Sequence, residues 1–259
     1  MPNIRVKTEE DIAVLRQAGR KHGEILSDLY QFCKAGTGLL DIDKRARQLI
    51  REAGGEPAFL NYQPQGAARP FPAAVCVSVN DEIVHGIPQK NRTLKAGDIV
   101  SVDLGLIYKG RVTDAAFTKA VEPVDDQACE LIKATRQALE AAVRAVKAGG
   151  RVGDVGAAVE KVSAGFPFFI IKHLAGHGVG HEVHEPPFIP NFGEAGQGPV
   201  LPDRAVIAIE PMLAIGSSEI KLEADDYTYS TADGSLSAHF EQTVLVTPNG
   251  PEVLTPLKF

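Results

Sequence analysis

Four acidic side chains and one histidine sit where a charge is costly. Asp103, Asp114, Glu210 and Glu241, together with His177, each lie inside or at the end of a short apolar or glycine-rich stretch. Taking an unpaired carboxylate out of water costs several kcal/mol, so a fold that buries four of them must bring its own compensation. The simplest compensation for clustered carboxylates plus one imidazole is a pair of divalent cations. This requirement points to a metal-dependent hydrolase.

The segments Asp98–Leu106 and Arg111–Ala120 read as two arms of a hairpin around Tyr108-Lys109-Gly110. Asp103 and Asp114 stand almost symmetrically about that turn, and the spacing predicts that they face each other across the strands. Facing like charges destabilise a strand pair, so the two either point to solvent on an edge or belong to a packed site. Val100, Val102 and Leu104 alternate with Ser101, Asp103 and Gly105, which places Asp103 on a face of small residues, as a packed site requires.

Glycines flank His177 in the run Gly176 to Gly180, where they let the backbone approach a ligand and adopt positive φ. His181 and His184 follow closely. Glu210 ends Val206–Ile209 and precedes Pro211, and Glu241 stands before the β-branched run Thr243–Val246. Oxygen-rich ligation with a single histidine suits Co, Mn, Fe or Zn rather than a thiolate zinc site. Such a centre acidifies a water and polarises a carbonyl, the chemistry of metal-assisted hydrolysis.

The rest of the chain bounds this reading. A net charge of −6 over 259 residues excludes bulk electrostatic binding of nucleic acid. Cys33, Cys76 and Cys129 are far apart with no C-x-x-C pair, which fits free thiols in a reducing compartment. Met1 to Lys7 leads straight into a polar helix with no signal-peptide pattern. The longest apolar run, Phe166–Ile171, contains Pro167 and is too short to cross a bilayer. A cytoplasmic protein with no membrane partner is expected, folded as a single domain over residues 1–259.

Helices are expected from Thr8, with Asp11 as capping partner, to near Gly36, and over Asp41–Ala53, Asp125–Ala148 and Gly153–Ala164. Strands alternate with them, beginning at Ala74–Val79. Leu94–Asp103 and Leu201–Glu210 align without gaps, each an apolar run ending in a carboxylate, the pattern of a duplicated α/β unit that supplies acids from both halves.

In this context six segments resemble the type I methionine aminopeptidases. They are Ser78–Pro88, Leu94–Gly105, Thr113–Thr118, Gly176–Pro187, Ile209–Pro211 and Phe240–Thr247, in family order over nearly the full length. The resemblance implies the α+β pita-bread fold, two pseudo-twofold α/β halves with antiparallel sheet around a dinuclear metal site. It implies two divalent ions on Asp103, Asp114, His177, Glu210 and Glu241, with Asp114 and Glu241 bridging. It implies His85 at the scissile amide, His184 at the substrate carbonyl, and Glu210 as general acid/base. The implied activity is removal of the initiator methionine from nascent peptides whose second residue is small, with the ribosome as a candidate partner and a monomer expected. X-Pro aminopeptidase or prolidase activity on the same fold is the alternative. Those enzymes normally carry an extra N-terminal domain, and here a helix starts near residue 8. Only 25 residues, Glu185–Ile209, separate His184 from Glu210, without the long insertion of type II enzymes.

The side-chain pocket departs from the family pattern. Phe71 and Cys76 stand in their expected places, but Tyr227 occupies the place of a tryptophan and Val183 that of a phenylalanine. Ala68 lies in a segment that has lost a tyrosine. A thioether gains affinity through apolar and sulfur–aromatic contact, so these changes predict a looser choice of first residue.

Overall fold

Thr8 opens the first helix through the expected reciprocal cap. Its hydroxyl accepts from the Asp11 amide at 3.1 Å, and the Asp11 carboxylate accepts from the Thr8 amide at 3.0 Å. Glu9, Glu10 and Asp11 then place negative charge at the positive end of the helix dipole. The structure, a computed structural model, describes residues 4–64 and 66–259.

The first half of the chain comprises α1 (Glu9–Phe32), α2 (Leu39–Glu52), β1 (Glu56–Pro57), β2 (Val75–Val79), β3 (Glu82–Val84), β4 (Ile99–Tyr108) and β5 (Arg111–Ala120). The second opens with another helix pair, α3 (Asp126–Ala145) and α4 (Val152–Ser163), followed by β6 (Phe169–Ile170), β7 (Ala175–Gly178), β8 (Glu185–Pro190) and β9 (Val206–Ile209). It closes with β10 (Met212–Ala214), β11 (Ile220–Leu222), β12 (Tyr229–Thr231), β13 (Ser237–His239), β14 (Gln242–Thr247) and β15 (Gly250–Val253). The expected helices are all present, with ends displaced by one to four residues. Thus α2 begins at Leu39 rather than Asp41, and α3 ends at Ala145 with Val146 already extended.

Two antiparallel sheets dominate. In one, β4 pairs with β1, β2 and β5; in the other the order is β15-β14-β9-β7-β8. The two aligned sequence segments therefore become the interior strands β4 and β9, one in each sheet. The sheets are stitched together where Ala116 in β5 and Glu241 exchange backbone hydrogen bonds of 3.3 and 3.0 Å. Two three-stranded sheets, β13-β10-β6 and β11-β12-β3, flank this junction.

The inner face of β4, through Val100, Val102 and Leu104, joins Leu29, Ile42 and Phe117 in an apolar core that continues through Leu139, Val155, Ile207 and Val244 of the second half. The opposite face carries Ser101, Asp103 and Gly105, as the alternation requires.

The hairpin register differs from the expected one. Lys109 and Gly110 both adopt left-handed φ, 48° and 73°, and form a two-residue turn closed by the pair Tyr108–Arg111. That turn sets Asp103 opposite Ala116 and Asp114 opposite Gly105. The two carboxylates are diagonal neighbours on one face rather than directly opposed.

Candidate active site

Five strands deliver the five predicted ligands to one cavity. Asp103 comes from β4, Asp114 from β5 and His177 from β7, while Glu210 follows β9 and Glu241 precedes β14. Ala116 links three of them, since it pairs with Asp103 on one side and with Glu241 on the other. Residues opposed across antiparallel strands point the same way, and so do residues two apart on one strand. Asp103, Glu241 and Asp114 therefore converge on one face at the sheet junction. Thr243 fixes Asp114 further, as its hydroxyl accepts from the Asp114 amide at 2.8 Å and donates to the Asp114 carbonyl at 2.7 Å.

The glycines beside His177 serve a purpose other than the expected one. A Cβ on Gly176 would lie 2.3 Å from the Ala208 carbonyl oxygen, and one on Gly178 would lie 2.2 Å from that of Pro186. These glycines let neighbouring backbone close around His177. The positive φ, 129°, belongs to Gly180 in the turn that follows.

The acids are crowded and lack compensation. One donor atom each from Asp114, His177 and Glu241 lies within 4.8 Å of the others. His177 Nε2 is 4.0 Å from Asp114 Oδ2 and 3.5 Å from Glu210 Oε1, and His239 Nε2 is 3.6 Å from Glu210 Oε2. Burial, then mutual repulsion, raises the carboxyls of Asp114, Glu210 and Glu241 well above their ordinary range, and burial raises Asp103. Burial likewise pushes His177 and His239 down to about 3, so neither imidazole supplies a positive charge. Asp103 Oδ1, Asp114 Oδ1 and Glu241 Oε1 are buried without a hydrogen-bond partner.

The proton on His177 can be placed. Its Nδ1 lies 2.9 Å from the Gly178 carbonyl, which only accepts, so Nδ1 carries the hydrogen. In the neutral ring the Nε2 lone pair then faces carboxylate oxygens that also offer lone pairs. Such an arrangement of buried nitrogen and oxygen donors suits a divalent cation.

The two remaining predicted histidines flank the cavity. His85 holds φ at 59°, a left-handed conformation uncommon for a residue with a bulky side chain, and burial lowers its pKa to about 4. His184 stands at the mouth with its ring centroid 4.4 Å from that of His177. Its Nδ1 lies 2.8 Å from the Tyr62 hydroxyl. His181 is not part of the cavity wall; its Nε2 is 3.3 Å from Asp11 Oδ2.

Past the acids the cavity, about 410 Å³ in volume, becomes apolar and aromatic. Phe71 meets Tyr227 edge-on with centroids 5.2 Å apart, and Cys76 is buried beside Asp103, which faces it across the β2–β4 pair. The Tyr227 hydroxyl donates to the Arg69 carbonyl, tying the loop before Phe71 to the turn at 225–228. Val183 departs from expectation. It is buried in the same apolar cluster as Phe71, Cys76 and Tyr227 but is not among the side chains that line the cavity. Phe59, Tyr62 and Tyr229 do line it, and nothing in their local sequence marks them for that position.

Residues 13–248 match metallopeptidase family M24. The chain belongs to that family. The curated methionine aminopeptidase of Clostridium acetobutylicum is 39% identical over 252 residues, covering 97% of this chain and 98% of the relative. That of Aquifex aeolicus is 40% identical over 256 residues, covering 98% and 99%. The crystal structure of methionine aminopeptidase from Thermotoga maritima superimposes with a TM-score of 0.93 at 39% identity, over 97% of this chain and 99% of that one. Prolidase from Pyrococcus furiosus shares the fold, with a TM-score of 0.76 at 22% identity over 98% of this chain and 66% of that one. The M24 chain is thus a metal-dependent hydrolase of the pita-bread fold, placed among the methionine aminopeptidases. No described helix is long and apolar enough to cross a membrane.

Proposed function

We propose that this M24 enzyme removes N-terminal methionine from nascent proteins and peptides whose second residue is small, using two divalent cations held by Asp103, Asp114, His177, Glu210 and Glu241. The observation that carries the metal assignment is the set of unpartnered oxygens of Asp103, Asp114 and Glu241 around a histidine lone pair. Charge supports a pair of ions, because four carboxylates carry four negative charges and two divalent ions balance them. When bound, such ions polarise the substrate carbonyl and acidify the attacking water.

The protein groups supply the remaining steps. Glu210 takes the proton of the attacking water and returns it to the departing amine nitrogen. His184, with Nδ1 2.8 Å from the Tyr62 hydroxyl, acts in the tautomer in which Nδ1 accepts a hydrogen bond from that hydroxyl and Nε2–H is presented to the carbonyl oxygen, and this bond strengthens as the oxygen gains charge. His85, neutral near pH 7, faces the scissile amide from the other wall. The aromatic end of the cavity takes the methionine side chain. Substrates of this class arise at the ribosome in the cytoplasm, where we place the protein, as a single-domain monomer.

Turnover of Met-Ala-Ser and Ala-Pro-Ala by the purified chain, after loading with Mn or Co and confirmation of bound metal, tests the reading. Cleavage of Met-Ala-Ser alone is expected. Preference for Ala-Pro-Ala reassigns the enzyme to the X-Pro class.

A further inference from the structure

Phe188 is the most exposed large apolar side chain in the described structure, 64% accessible, yet it pairs across the strands with His177. Opposed residues of an antiparallel pair project to the same face, so Phe188 stands on the face of β8 that looks toward the acidic site. A single exposed apolar residue needs no explanation, but this one does not stand alone. Val84, Leu174 and Pro186 join it along a second cavity of about 500 Å³. That groove and the metal-binding cavity share His85, His177, His184 and Glu210 as a common wall. The two spaces therefore meet at the groups that flank the scissile bond.

A peptide that places its first side chain among Phe71, Cys76 and Tyr227 presents its first amide to the acids and must leave past His85 or His184. Beyond them lies the groove. An extended strand rises about 3.3 Å per residue and alternates its side chains, so successive residues meet opposite walls. The chemistry of the groove is selective as well. Val84, Leu174, Pro186 and Phe188 are apolar. Of the two acids in its wall, Glu185 is already neutralised by Lys7 at 2.7 Å and Glu210 is committed to the metal site. A charged side chain from the substrate finds no free partner there.

We propose that this groove is the binding site for the third residue of the substrate and selects apolar side chains, with Phe188 as the principal contact. The assignment rests on the aminopeptidase reading above and extends it from the bond that is cut to the chain that follows. It predicts a selectivity independent of the requirement for a small second residue.

The test compares Met-Ala-Leu, Met-Ala-Ser, Met-Ala-Asp and Met-Ala-Lys, each amidated and in parallel, on the metal-loaded protein and on the variants Phe188→Ser and Leu222→Ser. Leu222, 51% exposed, borders the metal-binding cavity but not the groove and serves as the comparison. Burial of one aliphatic side chain against the groove should favour leucine over serine by roughly tenfold in kcat/KM, expressed in KM because the contact is the same in ground and transition states. Phe188→Ser should bring that ratio close to one, and Leu222→Ser should preserve it. Equal turnover of all four peptides by the unaltered protein overturns the groove assignment while leaving the aminopeptidase reading intact. Loss of the preference in Leu222→Ser, with retention in Phe188→Ser, also overturns it, since the third residue then lies against Leu222 rather than in the groove. No turnover of any methionyl peptide by protein with confirmed metal rejects the underlying function instead.

Discussion

Lys7 and Glu185 form an ion pair of 2.7 Å with both side chains only 1% exposed, joining the segment before α1 to the turn that carries His184. Glu185 also accepts from the backbone amides of His181 at 2.5 Å and Glu182 at 3.0 Å, so one carboxylate organises the whole turn. Removing one partner of a buried pair strands the other charge. Lys7→Met should therefore lower stability by about 3–5 kcal/mol. Adding Glu185→Gln should recover part of this loss, because the amide carbonyl still accepts from the turn and no buried charge remains. Urea unfolding midpoints of the single and double variants give the coupling directly. Simple additivity would show that the pair is not energetically joined.

Acid should destabilise the fold partly through His22. This residue is fully buried in α1, with Nδ1 2.9 Å from the Thr113 hydroxyl, and burial pushes its pKa from 6.5 down to about 3. Between those values the unfolded chain binds a proton that the folded chain refuses, so stability falls as the pH drops through 6.5 toward 3. The full contribution is of the order of 5 kcal/mol. His22→Asn, which keeps a polar atom near Thr113 but does not titrate, should flatten that part of the curve. Urea midpoints from pH 8 to pH 4, measured with chelator on both proteins, isolate the difference; parallel curves would exclude His22 as a source.

Much of the site was readable from the chain because each ligand is a local anomaly. A carboxylate closing Val206–Ile209, or one on the small-residue face of β4, contradicts its own neighbourhood and so announces a site. Relationships between distant segments leave no such mark. Lys7 and Glu185 are 178 residues apart, and Tyr62 and His184 are 122 apart. Lys7 reads as an ordinary surface lysine before a helix, and Tyr62 as one more residue in a polar loop. The hairpin offset escaped for a smaller reason. Direct opposition of Asp103 and Asp114 requires a turn centred between Tyr108 and Lys109, whereas the left-handed pair Lys109-Gly110 centres it between those two residues and moves Asp114 to a diagonal position.

Tyr62→Phe isolates the orientation of His184. The hydroxyl at 2.8 Å from Nδ1 is the imidazole's only recorded hydrogen bond among the described residues. Its loss should reduce kcat on Met-Ala-Ser by roughly tenfold, less than the ~10²–10⁴ a positioned acid–base group itself supplies, because Tyr62 only orients the imidazole. KM should change little, since the aromatic ring remains in the cavity wall. His184→Ala should cost about 10²–10³ in kcat by losing the oxyanion donor itself. A Tyr62→Phe enzyme with unaltered kcat would remove Tyr62 from the mechanism.

Metal content and apo stability should move in opposite directions in Asp114→Asn. The carboxylate sits closest to the centre of the repelling group, with neighbours Asp103, Glu210 and Glu241 all raising its proton affinity or raised by it. Without metal, the asparagine relieves that repulsion and the melting temperature should rise. With metal, it removes a ligand, so bound ions per chain should fall from two to one or fewer, and the stabilisation that ligand binding confers should shrink. Elemental analysis together with thermal melts, with and without chelator, reads both effects. A variant that still binds two ions per chain would exclude Asp114 as a bridging ligand.

The choice of first residue should depend on Tyr227 more than on Val183. Tyr227 lines the cavity, meets Phe71 edge-on at 5.2 Å and holds the preceding loop through the Arg69 carbonyl, whereas Val183 packs behind the wall. Tyr227→Ala removes both the aromatic contact available to a thioether and the tie across the mouth. Such contacts contribute about 0.3–1.5 kcal/mol for sulfur on an aromatic ring, and more when apolar area is lost as well. KM for Met-Ala-Ser should rise by roughly tenfold while kcat changes less, because binding of the side chain precedes the chemical step. The same variant should narrow the preference for methionine over norleucine, which matches its length but lacks the sulfur. Val183→Ala should leave that preference in place. Parallel kinetics on Met-Ala-Ser and norleucyl-Ala-Ser decide the matter, and a preference that survives Tyr227→Ala would assign methionine selection to Phe59 and Phe71 instead.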